Sequence, residues 1–134
     1  MILITIVTYF EKGWLEPRTD AFMWRQMINA FNVDRLVMVP HLLPKRTNMD
    51  QFGTMQEAIN STVGKRLFFE PTGSSPLSVI NDYKDVVFIF GNANTHNLKH
   101  VGSDDLTIRI DTPSKSVLFA TEAGAIALAA RCLS

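Results

Sequence analysis

Apolar positions along the chain fall into two patterns: short continuous runs, and longer stretches where they recur every three or four residues. Ile2 to Thr8 (ILITIVT) is β-branched and almost wholly apolar, as expected of a strand buried on both faces. RLVMVP, stopped at Pro40, KRLFFEP, stopped at Pro71, and DVVFIFG, between Asp85 and Gly91, read the same way. LTIRID is a fifth, partly alternating strand. Phe22, Met23, Met27, Ala30 and Phe31 lie at helical spacing, which predicts a helix starting near Ala21. Thr19 or Asp20 is its expected cap, and Asn32 its left-handed end. Weaker helical spacing surrounds Met55, Ala58 and Ile59, and a short helix is expected over Pro76 to Tyr83. The Ala-rich stretch Ala123 to Leu133 predicts a last helix capped at Thr121.

The resulting order, β-α-β-α-β-α-β-β-α, predicts one α/β domain over residues 1–134. Its parallel sheet is covered by helices on both faces. In such sheets ligands bind beyond the carboxyl ends of the strands. Here that edge comprises Tyr9 to Arg18, Pro40 to Arg46, Pro71 to Ser75, Gly91 to His96 and Asp111 to Leu118, which hold much of the polar and glycine chemistry.

Composition narrows the function classes. Thirteen basic and thirteen acidic residues cancel, so no field of one sign draws the chain to a polyanion. Lys45-Arg46 and Lys65-Arg66 are local basic pairs, read as solvated loops. Cys132 is the single cysteine; it forms no intramolecular disulfide, which suits a reducing, cytoplasmic location, and its setting is that of a small helix residue. No run reaches the length of a membrane span. Met1 to Phe10 lacks the basic leader and small-residue cleavage site of a secretory signal.

Two segments carry candidate chemistry. In FIFGNANTHN a glycine ends a buried strand, where the backbone can turn sharply or admit a ligand, and Asn, Thr and His follow. Neither GxGxxG nor GxxxxGK[ST] occurs. In IRIDTPSKSVLFATEAGAIAL a strand runs into a mixed polar and apolar loop, then into a helix of small residues that admits close packing. Such a loop suits a pocket wall. His41, His96 and His100 lack metal-ligand spacing, although His96 lies where a base could serve. Trp14 and Trp24 are positioned either to stack on an RNA base or to pack in the core.

Taken together, VFIFGNANTHNLKHVGSDDLTIRIDTPSKSVLFATEAGAIAL resembles the C-terminal half of the SPOUT methyltransferases, and DAFMWRQMINAFNVDRLVMVP resembles that family's first motif. The resemblance implies a C-terminal deep trefoil knot, otherwise nearly absent from proteins. It also implies S-adenosylmethionine (SAM) bound by the knot loops, and a homodimer with the site near the subunit interface. The implied activity is methyl transfer to RNA, such as tRNA or rRNA, at a ribose 2′-hydroxyl or a base nitrogen. The cofactor residues would be Phe90, Gly91, Asn92, Ile110, Thr112, Pro113, Ser116, Val117 and Leu118, with Thr121 and Ala123 behind them. Arg25, Asp20 and Ser116 are the catalytic candidates.

The chain also departs from the family pattern. Gln26 occupies the position of the motif's Arg, with Arg25 one residue early and so rotated by about 100° around a helix. Asp20 stands for Asn, Asn32 for Gly, Asn92-Ala93 for the acidic residue after the strand-ending glycine, and Leu118 for a second Asn. These changes motivate a second expectation, a binding or regulatory protein that keeps the fold and the cofactor, or a nucleotide, without transferring methyl. An unrelated flavodoxin-like domain is a third expectation.

Overall fold

The computed structural model describes residues 3–11, 13, 15–45, 48–91 and 97–133. Seven strands, all parallel, form one sheet: β1 (Ile4–Tyr9), β2 (Arg35–Val39), β3 (Asp50–Gln51), β4 (Lys65–Phe69), β5 (Ser75–Pro76), β6 (Val86–Phe90) and β7 (Leu106–Arg109). Their order is β3-β2-β1-β6-β4-β7-β5. The helices are α1 (Pro17–Phe31), α2 (Met55–Asn60) and α3 (Ala120–Cys132), with 3-10 turns at Leu77–Asp82 and Leu98–His100.

Strand side chains alternate between two cores, as the two-residue period requires. Ile4, Ile6, Leu36, Met38, Leu67, Phe69, Val86, Phe88 and Phe90 face α1 and α3. Val7, Val37, Val39, Phe68, Val87 and Ile89 face α2. The first cluster holds 21 buried residues against 9 in the second. At ~1.5–3 kcal/mol per buried large apolar side chain, the α1/α3 side therefore carries most of the apolar stabilisation. The parallel sheet with both faces covered is as expected.

Several local expectations fail, for tertiary reasons. Helix α1 starts at Pro17, whose missing N–H costs nothing in the first turn. Neither Thr19 nor Asp20 caps it; Asp20 lies inside the first turn and is buried. The buried stripe is Ala21, Trp24 and Ile28, with Met27 and Phe31 half-buried against it, whereas Phe22, Met23 and Ala30 face outward. Helix α3 starts at Ala120, so Thr121 is a buried helical residue and not the cap. Glu122 instead reaches back to accept from the Phe119 N–H at 2.9 Å. Strands β3 and β5, two residues each, are not among the expected strands; Pro76, expected to open a short helix, pairs in β5, and a 3-10 turn follows from Leu77. Asn32 does end α1 in the left-handed conformation (φ 53°, ψ 45°).

Two features of the topology position the site. Neighbours β1 and β6 send their chains to opposite faces, the first through α1 and the second through the Leu98–His100 turn toward Val101 on the α2 side. That is a topological switch point, where a crevice opens. Beyond β4, residues 70–74 arch across β7 to reach β5. The Glu70 N–H donates to the Ile108 carbonyl at 2.9 Å, and the Ser74 N–H to Thr107 Oγ1 at 3.0 Å. Gly73 lies so close that an added Cβ would sit 2.5 Å from the Ile108 carbonyl carbon. After β7 the chain returns to the α1 side, where Arg131 of α3 donates to the Ile80 and Lys84 carbonyls of the β4–β6 connection.

Candidate functional site

The carboxyl edge of the sheet has an aromatic floor. Phe90, the last residue of β6, stacks on Phe69 of β4 (4.8 Å, 19°) and meets Trp24 of α1 at 5.5 Å. Trp24 is therefore core, and Trp14 lies outside the described residues. Trp24 reaches this place because α3 presents Gly124 to it, where a Cβ would fall 2.6 Å from the indole ring. Above the floor Gly91 is half-exposed, while Glu70 and Asn97 are buried. The Asn97 N–H donates to Glu70 Oε1 at 3.1 Å, while both ends of its side-chain amide are buried with no hydrogen-bond partner.

The segment from Ile110 to Phe119 forms the second wall. Lys115 takes a left-handed conformation (φ 58°), held by its N–H donating to the Thr112 carbonyl at 3.0 Å. Thr112 Oγ1 donates to the Ser116 carbonyl at 3.2 Å, and the Ser114 and Ser116 hydroxyls pair at 2.9 Å. A non-glycine residue in this region stores backbone strain. Pro113, Ser116 and Val117 are exposed, and Ile110, Thr112 and Leu118 half-exposed. Thr121 is buried in the first turn of α3, and Ala123 packs half-buried behind it. Because β4 separates β6 from β7, the carboxyl ends of those two strands stand about 10 Å apart, flanking the end of β4. Asn92 and His96 lie outside the described residues.

Of the catalytic candidates, Asp20 has the most unusual setting. It is fully buried, and its Oδ2 accepts from the Glu11 N–H at 2.8 Å. Burial is the main reason its pKa is raised to about 6; the Glu11 amide opposes the shift and the Glu11 charge adds to it. Glu11 was read from the sequence only as loop. It is 5% exposed, with neither carboxylate oxygen hydrogen-bonded. No local pattern announces it, because its burial comes from packing at the switch point. Arg25 is half-buried with its Nε unpartnered, and Ser116 is on the surface. No hydrogen bond or ion pair among the described residues joins Asp20, Arg25 and Ser116.

The raised Asp20 pKa has a consequence for stability. A carboxyl that titrates higher when folded stabilises the fold while protonated, and this contribution disappears as pH rises through about 6. Asp20→Asn is therefore expected to raise the melting temperature at pH 7 and to flatten its dependence between pH 4 and 6. Thermal melts across that range check this.

A cleft of about 340 Å³ opens beside the site, between the ends of β1 and β2 and helix α2. Tyr9, Pro40, Thr54, Gln56, Lys99 and His100 line it. His100 Nδ1 pairs with Gln56 Oε1 at 3.0 Å. Burial, helped by Lys99, lowers the His100 pKa, and burial raises that of Tyr9. No group of three or more His, Cys, Asp or Glu among the described residues is arranged to hold a metal ion. No helix among them is long and apolar enough to cross a membrane.

No protein-family model matches the chain, and no curated protein matches it by sequence. Solved structures share its fold. The SpoU methyltransferase AviRb from Streptomyces viridochromogenes, in complex with AdoMet, superposes with a TM-score of 0.75 at 10% identity, over 98% of this chain and 60% of that one. A protein solved for insight into the 2-OH methylation of C/U34 on tRNA gives 0.73 at 14% identity, over 96% and 88%. An RNA 2′-O ribose methyltransferase gives 0.70 at 12%, over 97% and 55%. The α/β fold with an all-parallel sheet, expected from the sequence, is the fold these structures share.

Proposed function

We propose, from the fold shared with SpoU methyltransferases, that this protein binds SAM and transfers its methyl group to RNA. The carrying observation is the convergence of the Phe90–Gly91 strand end, the strained Ile110–Leu118 loop and the Glu70–Asn97 pair on one sheet edge. The donor set fits the cofactor. Phe69 and Phe90 offer an apolar ring layer, and Asn97 holds one donor and one acceptor without partners, matching the edge of an adenine. Half-exposed Gly91 lets a ligand approach the main chain, which Ile110 to Leu118 also present.

When bound, SAM supplies an electrophilic methyl, so the protein's task is alignment and proton removal. Ser116, Arg25 and Asp20 are the groups to test for these roles. The arch of residues 70–74 over β7, with α3 returning behind it, supports a knotted C-terminus. Phe22 and Met23 of α1, Phe119 just before α3 and Ile126 within it are exposed apolar side chains; they suit the homodimer interface of our reading, and a cytoplasmic RNA such as tRNA or rRNA its substrate.

Calorimetry with SAM and S-adenosylhomocysteine tests the premise. Binding should be 1:1 per chain, and tenfold excess over Kd should stabilise the fold by ~1.4 kcal/mol. Absence of binding to either would end this reading. One observation favours a second function, cofactor binding without transfer: Gln26, at the family's Arg position, is exposed, and Leu118 offers no side-chain donor. Radiolabelled methyl transfer to unfractionated tRNA and rRNA separates the two.

A further inference from the structure

The cofactor reading leaves the cleft between β1, β2 and α2 unused. Its volume, about 340 Å³, falls within the ~300–1,000 Å³ of small-ligand sites. Buried Val39 and Met55 line its apolar part, and half-buried Tyr9 gives it an aromatic wall. Gly53 keeps it open: a Cβ there would meet only Glu57 Oε1, at 3.6 Å.

The polar groups of the cleft are already ordered. The Gln56 amide nitrogen donates to Asn60 Oδ1 at 2.9 Å, so Gln56 Oε1 is left to accept from His100 Nδ1 at 3.0 Å. That relay fixes the imidazole tautomer and leaves Nε2 as an acceptor. Burial, then Lys99, lowers the His100 pKa and keeps the ring neutral. Lys99 is exposed, and no Asp or Glu among the described residues lines the cleft. Exposed His41 and Lys45 follow Pro40 of the same wall. A chain of zero net charge is therefore locally basic here.

One short turn joins this cleft to the cofactor seat. Asn97, whose N–H donates to Glu70 in that seat, accepts through its carbonyl from the His100 N–H at 2.9 Å. Across the sheet, Thr8 is in register with Phe90 and Tyr9 is the next residue, about 6 Å from Phe90 between Cα atoms. Phe90 faces α1 and α3, whereas Tyr9 packs on the α2 side. The two seats lie back to back over the carboxyl edge of the sheet, within the span of a dinucleotide.

We propose that the cleft is a second RNA subsite, which takes the base next to the methylated nucleotide, stacked on Tyr9, with Lys99 on an adjoining phosphate. This rests on the methyltransferase reading. Aromatic stacking combined with a cation on the backbone is how single strands are held, and His100 Nε2 accepts from an N–H of the seated base. Two neighbouring bases held on opposite faces of a sheet edge cannot stay stacked in a helix. The substrate segment is therefore a loop or an end, bent over the edge.

The test measures binding of a fluorescein-labelled, mixed-sequence single-stranded RNA dodecamer, and of its duplex, to wild type, G53L and K99A. Calorimetry with S-adenosylhomocysteine accompanies each. G53L fills the cleft and should weaken single-strand binding ~10-fold or more, with the S-adenosylhomocysteine Kd within about threefold of wild type. K99A should make the slope of log K against log salt shallower by about 0.7, the share of one phosphate contact on a single strand. A folding defect does not produce that change. Y9F should bind like wild type and Y9L should lose as much as G53L, because the ring and not the hydroxyl carries the stacking. Gly53 and Lys99 are exposed, so the melting temperatures of G53L and K99A should match wild type. A G53L affinity within twofold of wild type, an unchanged salt slope in K99A, or a duplex bound as tightly as the single strand overturns the subsite and leaves the methyltransferase reading intact. A wild-type protein that binds S-adenosylhomocysteine but not the dodecamer also overturns the subsite. One that binds neither cofactor form refutes the underlying reading first.

Discussion

Replacing Gly73 by alanine is expected to destabilise the protein by ~3 kcal/mol or more, an overpacking cost that a flexible neighbour cannot absorb. The added methyl would meet three backbone atoms, the Ile108 carbonyl carbon at 2.5 Å, the Arg109 nitrogen at 2.8 Å and the Ile108 oxygen at 2.8 Å. Strand β7 cannot retreat, because it is hydrogen-bonded to β4 on one side and β5 on the other. The arch must lift instead, losing the Ser74 contact to Thr107 and straining the Glu70 contact to Ile108. For a chain of this size the melting temperature should drop by about 10 °C or more. If Gly73→Ala melts like wild type, the arch is not seated on β7 as described.

The second large effect concerns the contact between α1 and α3. Gly124→Ala should gain about 1 kcal/mol of helix propensity, yet it places a methyl 2.6 Å from Cη2 and Cζ3 of Trp24. That ring is fully buried and held against Phe90, so it cannot swing aside. We expect a net loss of ~2 kcal/mol, measured by urea unfolding. Trp24→Phe removes the outer ring atoms and costs ~1–3 kcal/mol by itself through the void it leaves. In that background Gly124→Ala should become neutral or stabilising. Such a change of sign is the signature of direct contact, and simple additivity would disprove it. Because Trp24 packs against Phe90, the single variant should also weaken the SAM binding proposed above.

Much of the fold could be read from the chain because four of the five longer strands, β1, β2, β4 and β6, are largely buried on both faces, whereas β7 buries only Ile108. Runs such as ILITIVT and VVFIF need no partner to be recognised. The two-residue strands could not be read: Asp50–Gln51 and Ser75–Pro76 are strands only because β2 and β7 lie beside them. The start of α1 went wrong for a related reason. Asp20 has the chemistry of a cap, but packing draws it inward, and Pro17 was the better signal. At the site, the loops after β6 and β7 were visible as polar stretches behind apolar runs. Glu11 was not, since an acid in a loop is ordinarily solvated, and nothing nearby in sequence foretells that it is sealed from water.

The sheet ends on either side in a two-residue stub, β3 at one margin and β5 at the other. A growing β assembly needs a longer row of open amides and carbonyls to template the next strand. Concentrated protein should therefore resist fibril growth at its margins, and any self-association should proceed through side chains on the helical layers.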